Sequence, residues 1–397
     1  MMHSILIAAR LLAVLGIVSS SLYYLLCLWS AVRFLRERDD ANAAYARLQS
    51  TTEPNVFPPA SILKPLKGID PEMYESFRSH CHQDYPEYEI IFGVSDPADP
   101  AIESVLALQR AFPGCRMQLV VCPEILGANI KVSNLAQMAP HARYSHLVVN
   151  DSDIRVQSDY LRRVMSPLSD PQVGLVTCLY RGVASDTTGS KLEALGISTD
   201  FCPSVLAARQ LERGIRFGLG STLAFRRGEL EKIGGFSVFA DYLADDYELG
   251  KRMADLGYGV KLSEIVVETF VPHYSLREFV AHQLRWARGV RGARGGGYFG
   301  LIFTFGLVWA LLGLVSSQGA LWAWSSLALT LCLRFAVALL VGNTVLGDRG
   351  VVKDWWLIPF RDLIAAMIWL VSLLGRTVTW RGVRFSLKDG KLTRISP

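Results

Sequence analysis

His146-Leu147-Val148-Val149-Asn150-Asp151-Ser152-Asp153 is the stretch on which the fold turns. An apolar, β-branched run closed by acids is how a buried strand of an open α/β sheet presents ligand-binding groups at its carboxyl edge. Asp151 and Asp153 are thus expected at a strand tip, spaced so that one or both can bind Mg²⁺ or Mn²⁺, hard cations that prefer carboxylate and phosphate oxygen. A metal holding a nucleotide diphosphate would sit there. Asp-x-Asp is also common in surface turns, where it caps or is solvated, so the flanking sequence has to carry the reading.

Upstream, strands and helices alternate, the signature of an α/β sheet. Residues 60–66 read as a first strand ending at Pro65, and 71–82 as a helix with Asp70 as its cap and Pro71 at its first position. Residues 88–94 form a second strand ending at Ser95-Asp96, and 117–121 a third. Helices are expected over 100–112 and 130–138. Two strands therefore deliver acids, Asp96 and Asp151/Asp153, to one edge of the sheet. That edge is the ligand crevice of open α/β folds.

The rest of the composition belongs to a membrane protein. The 397 residues are 51% hydrophobic with a mean hydropathy of +0.26. Leu11 to Val32 is a run of 22 uncharged residues, long enough to cross a bilayer and without the small-residue cleavage site of a signal peptide. An N-terminal anchor over 5–35 is expected, then an aqueous domain over 51–294. Arg33, Arg36 and Arg38 on one side and Arg285, Arg288, Arg291 and Arg294 on the other put both ends of that domain in the cytoplasm by the positive-inside rule. The net charge of +5 is explained by these arginines, so no nucleic-acid partner is implied. The seven cysteines are scattered without a Cys-x-x-Cys pair, indicating neither a disulfide framework nor a zinc site.

Over 298–375 two spans are expected, near 301–317 and 320–342, followed by an interfacial or re-entrant helix. The uncharged part of that last block, Leu363 to Gly375, has only 13 residues, short for a crossing. The basic tail 376–397 then stays in the cytoplasm. Arg334, inside a span, either snorkels or faces a polar cavity.

Lys64-Pro65-Leu66-Lys67-Gly68, Ser95-Asp96, Asp151-Ser152-Asp153, Ala244-Asp245-Asp246-Tyr247 and Leu284-Arg285-Trp286 together resemble, in order, the motif series of family 2/21 glycosyltransferases. The likeness is to ceramide glucosyltransferases and their bacterial relatives in hopanoid biosynthesis. Asn129-Ile130-Lys131-Val132-Ser133-Asn134, 195–201 and 282–288 resemble the hopanoid branch. It implies a GT-A fold between N-terminal and C-terminal membrane helices, a UDP-sugar donor, a lipid acceptor (a hopanoid or a sphingolipid), and a place in the bacterial inner membrane.

The resemblance also assigns roles. Asp96 would contact the uridine, and Lys131 would lie near the uracil or phosphates, the alternative being an exposed helix lysine. Asp246 matches the acid that takes the proton from the acceptor hydroxyl in a single inverting displacement; a helix cap is its competing reading. Arg285 and Trp286 would meet the diphosphate and the acceptor. The pattern has Gln or Arg three residues before that arginine, where this chain has His282, either a phosphate donor or packing. Gly220, within Gly218-Leu219-Gly220-Ser221-Thr222, resembles the loop flooring the donor sugar, or is a plain turn. A processive polysaccharide synthase shares these motifs but needs more spans than are legible here.

Overall fold

The strands Ala60–Leu66 (β1), Tyr88–Val94 (β2), Met117–Val121 (β3) and His146–Val149 (β4) follow the expected runs closely in the computed structural model, which describes residues 2–50, 57–380 and 382–395. Thr51, the expected start of the aqueous domain, and Arg381 of the basic tail lie outside the described residues. The sheet is completed by Ile154–Arg155 (β5), Val173–Val183 (β6), Leu223–Arg226 (β7) and Gly259–Phe270 (β8).

Its order is β3-β2-β1-β4-β7-β6-β8-β5. β1 runs parallel to both β2 and β4, so the chain builds outward from β1 in one direction and resumes on its other side. That reversal is a topological switch point, where open α/β sheets place their ligand crevice at the carboxyl ends of the strands. Beyond it β7 is antiparallel to β4 and β6, while β6 and β8 pair in parallel with a register shift at Cys178/Leu179. Leu63, Ile91, Leu147 and Val149 bury one face of the sheet against Val132, Leu135 and Met138 of the helix Ile130–Met138. Asn129 opens that helix, its side chain accepting from Val132 N at 3.3 Å.

The helix expected over 71–82 begins at Met73, and Asp70 does not cap it. Its carboxylate instead accepts from Ser152 Oγ, a buried hydroxyl that would otherwise lack a partner.

The chain divides into two units. One is Glu37–Val183, Glu212–Pro272 and Thr379–Pro397, which contains the sheet. The other is Met1–Arg36, Ala184–Leu211 and His273–Val378, which is helical. Among the described residues three helices are long and apolar enough to cross a membrane: His3–Arg47, Leu321–Val345 and Trp355–Ser372. The pair Gly295–Thr304 and Gly306–Ser316 also passes together, but it bends by 49° where Phe305 leaves helical geometry.

The block 355–372 reaches that length with Arg361 and Asp362 inside it, and Asp362 is paired from a neighbouring helix. Arg334 Nη2 and Nε donate to its two oxygens at 2.7 and 2.8 Å. Arg334 is buried and does not snorkel. The helix Ile358–Ser372 runs beside the charged helix Leu276–Ala293: Arg361 Nη2 donates to Gln283 Oε1 at 2.9 Å, and Arg291 Nη2 to Gly375 O at 2.7 Å.

Candidate active site

Lys64 is the first oddity of the sheet, a lysine wholly buried within β1. Its ammonium donates to Asp151 O at 3.1 Å and lies over the Phe77 ring. Burial drives its pKa down to about 7, with Asp153 and Asp151 pulling the other way. It anchors the chain where β4 ends. On the other side Asn150 Nδ2 donates to Ser221 O at 2.7 Å and to Tyr160 Oη at 2.9 Å, tying that end to the turn before β7.

Four charged side chains meet beyond these anchors. Lys131 Nζ lies 2.7 Å from Asp151 Oδ1 and 3.6 Å from Asp245 Oδ2. A Cβ placed on Gly220 would sit 3.2 Å from Asp246 Oδ2 and 3.3 Å from Asp151 Oδ2. Those two carboxylates therefore converge on a point that a methyl group would crowd. The turn is held against the helix Asp245–Asp255 by Gly218 N, which donates to Asp246 O at 3.2 Å. Gly250 permits that contact, since a Cβ there would come within 2.2 Å of Gly218 N.

The electrostatics follow from three acids around one ammonium. Burial first, then Asp245, raises the Asp246 carboxyl to about 6, against the lowering effect of Lys131. Burial alone would lower Lys131, but Asp151, Asp245 and Asp246 outweigh it and hold its pKa above the ordinary value. Asp153 is raised to about 6 by burial and by Asp151, and one of its oxygens accepts from Thr269 Oγ1 of β8. Asp96, at the end of β2, is exposed and accepts from Ala98 N at 2.8 Å. In the sheet order it stands two strands from β4, about 10 Å at the usual spacing.

Among the described residues, no three His, Cys, Asp or Glu side chains form a group that could hold a metal by themselves. The donor set still fits a cation that is completed by a ligand, because Mg²⁺ commonly takes one or two carboxylates plus substrate phosphates. Asp151 is 41% exposed and carries more negative company than Lys131 cancels.

The loop leading into this cluster is braced from two sides. Asn129 Nδ2 donates to Tyr242 O at 2.8 Å and to Asp245 Oδ1 at 3.2 Å, and Ala128 N donates to Asp241 Oδ1 at 3.0 Å. The hairpin Val383–Lys388 and Lys391–Arg394 adds to the outer edge, Leu392 N donating to Asp241 O at 2.7 Å and Leu243 N to Gly390 O at 3.1 Å.

His282, Arg285 and Trp286 belong to the helical unit, on the helix Leu276–Ala293, which opens with a Ser275/Glu278 capping box. His282 Nδ1 is 3.1 Å from Glu193 Oε1, a buried carboxylate that also accepts from Gln283 Nε2 at 2.9 Å. Its ring packs on Tyr274 and Trp286, and Trp286 meets Phe201 edge-on. Glu193 carries no signal in the sequence; Asn129 and Lys64 stand there only within motif phrases, although a cation inside an otherwise apolar strand is itself legible.

The family model for glycosyl transferase family 21 matches residues 12–393. Ceramide glucosyltransferase 3 of Caenorhabditis elegans is 27% identical over 59% of this chain and 51% of its own length. Ceramide glucosyltransferase 1 of the same organism is 24% identical over 88% of this chain and 76% of its own. The chain thus spans about half the length of the first relative and three quarters of the second. Among solved structures, a mannosyltransferase from Pyrobaculum calidifontis in complex with GDP-Man and Mn²⁺ superposes with a TM-score of 0.52 at 21% identity, over 92% of this chain and 99% of that one. The sheet and its crevice are those of the GT-A fold, and the chain belongs to glycosyl transferase family 21.

Proposed function

We propose that this glycosyltransferase moves one sugar from a UDP-sugar to the hydroxyl of a lipid, with inversion at the anomeric carbon. The observation that carries this reading is the convergence of Asp246 Oδ2 and Asp151 Oδ2 on Gly220, with Lys131 ion-paired beside them. Asp246, whose pKa is raised to about 6, is a suitable base for an acceptor hydroxyl. Asp96 would meet the uridine, Lys131 the diphosphate, and Gly220 the underside of the donor sugar. By the motif order, Arg285 would meet the diphosphate and Trp286 the acceptor, with His282 a phosphate donor or a packing residue. Mg²⁺ or Mn²⁺, held by Asp151 and Asp153, would neutralise the charge of the departing diphosphate.

The sugar and lipid follow two lines of support. The motif phrases favour N-acetylglucosamine transferred from UDP-N-acetylglucosamine to a hopanoid polyol. The relatives favour glucose transferred to ceramide. For the membrane layout we adopt an anchor over 5–35, two spans and an interfacial helix within 298–375, and a cytoplasmic tail, in the inner membrane of a bacterium. Two facts support it. The hairpin 383–394 belongs to the same unit as the acidic cluster, which fits an even number of crossings between the two. Trp355 and Trp356, both exposed just before the helix Ile358–Ser372, are placed as interfacial anchors are.

Mass spectrometry of lipid products tests the reading, using purified protein with Mg²⁺ or Mn²⁺, both UDP-sugars, bacteriohopanetetrol and ceramide. A hexosaminyl hopanoid or a hexosyl ceramide is expected and identifies the substrate pair. UDP release without any glycolipid contradicts the reading.

A further inference from the structure

Cys81 ends the helix Met73–Cys81, and Cys115 lies in the turn that leads into β3, where its N–H donates to Phe112 O at 3.0 Å. The fold brings these two places together. The rings of His82 and Phe112 meet edge-on across the junction, with centroids 5.0 Å apart. Tyr88, the first residue of β2, places its Oη 3.1 Å from Cys81 O, and the same hydroxyl is in hydrogen-bond contact with the Cys115 thiol. The two thiols are hydrogen-bonded to each other. Both are free and only partly buried. Since β1, β2, β3 and β4 run in one direction, the start of β2 and the approach to β3 lie at the amino edge of the sheet, opposite the edge that carries Asp151.

The two sulfurs are unequal. A hydrogen bond from the Cys81 thiol, helped by one from Tyr88, favours the Cys115 thiolate and lowers its pKa, although burial works against them. The same bond, with burial, raises Cys81 and keeps it a thiol. The Tyr88 hydroxyl has one proton, which can turn from the carbonyl to the sulfur when that sulfur ionises. The other cysteines of the sheet-containing unit are held as thiols, burial pushing Cys122 up to about 11 and Cys178 up to about 12. A lowered thiol that solvent can reach, with a second thiol against it, has what oxidation by peroxide requires. Packing as a small apolar residue asks for neither the exposure nor the contact.

We propose that Cys81 and Cys115 are a modification site, a dithiol that hydroperoxides close to a reversible disulfide. The Cys115 thiolate attacks the peroxide; the O–O bond breaks, one oxygen stays on sulfur as a sulfenic acid, and the other leaves with a proton as alcohol or water. The Cys81 sulfur then attacks the sulfenic sulfur. The S–S bond forms, the S–O bond breaks, and the hydroxide departs as water with the Cys81 proton. The electron pair lost by the thiols has gone to the peroxide, and a dithiol reductant returns it. Closed, the bridge staples the end of the helix Met73–Cys81 to the entry of β3, away from the acids of the crevice.

Peptide mapping of the purified full-length protein tests this. The protein is treated with hydrogen peroxide, remaining thiols are alkylated, and the peptides are read by mass spectrometry. We expect Cys81 and Cys115 to leave the alkylated pool together as one linked peptide, about tenfold or more faster than any other cysteine, and to return with dithiothreitol. In Cys81→Ser the reaction should stop at a sulfenic acid on Cys115, trapped by dimedone. In Cys115→Ser, Cys81 should stay reduced. Glycosyl transfer should be unchanged in both variants, which also reports that they fold; should one fold poorly, the wild-type map decides alone. Cys81 and Cys115 still alkylated after peroxide, or linked no faster than the other thiols react, overturns the site. A sulfenic acid on Cys81 in Cys115→Ser, formed as fast as on Cys115, overturns the assignment of the attacking thiol.

Discussion

Lys131 Nζ and Asp151 Oδ1 stand 2.7 Å apart across the mouth of the crevice, joining the start of one helix to the end of β4. That ion pair also reaches Asp245 and, through charge, Asp246. The titration of Asp246 is therefore open to adjustment from either side.

A base works only when ionised, so transfer should fail as pH falls through the Asp246 pKa, which lies at about 6. Asp245 raises that pKa and Lys131 lowers it. Asp245→Asn is therefore expected to move the acid limb of kcat/KM to lower pH, and Lys131→Met to move it to higher pH. Each shift should be up to about one pH unit. Limbs that move together, or not at all, contradict the assignment of Asp246.

Asp246→Asn should abolish transfer, by about 10²–10⁴-fold, while UDP-sugar binding measured by calorimetry is largely kept. Lost binding with residual turnover would assign the side chain to the donor instead.

Gly220→Ala puts a methyl 3.2–3.3 Å from two carboxylate oxygens. Contacts that tight force the carboxylates apart by tenths of an ångström, and misplacement at a reacting centre is costly. We expect a loss of about 10²-fold in kcat/KM with the unfolding temperature little changed. A variant with wild-type kinetics would make this a plain turn.

Sequence patterning gave the first half of the sheet nearly to the residue. Tyr88–Val94, Met117–Val121 and Ile130–Met138 coincide with their expected bounds, because each is a short apolar or amphipathic run between turn residues. The meeting of Asp151 with Asp246 was legible only as motif order. It depends on β7 inserting antiparallel beside β4, which no local pattern encodes. The β6–β8 pairing was not read, since its strands lie far apart in the chain and its register slips at Cys178/Leu179. The fate of Arg334 turned on a carboxylate 28 residues away. His282 was open between phosphate and packing, and in its own unit it is held by Glu193 and two aromatic rings.

The tail hairpin should matter to the donor site although it lies at the end of the chain. Leu392→Pro removes the N–H that bonds Asp241 O, and Asp241 in turn holds Ala128 beside Asn129 and Lys131. We expect a destabilisation of about 1–3 kcal/mol and a raised KM for the UDP-sugar. Unchanged donor kinetics with lowered stability would confine the hairpin to a structural part.

The most direct test of the central claim is the anomeric configuration of the sugar on the lipid product, read by the coupling constant of its anomeric proton in NMR. UDP-sugars of the glucose series are α-linked, so one displacement with Asp246 as base predicts a β-glycoside. An α-glycoside would mean retention and would contradict the mechanism.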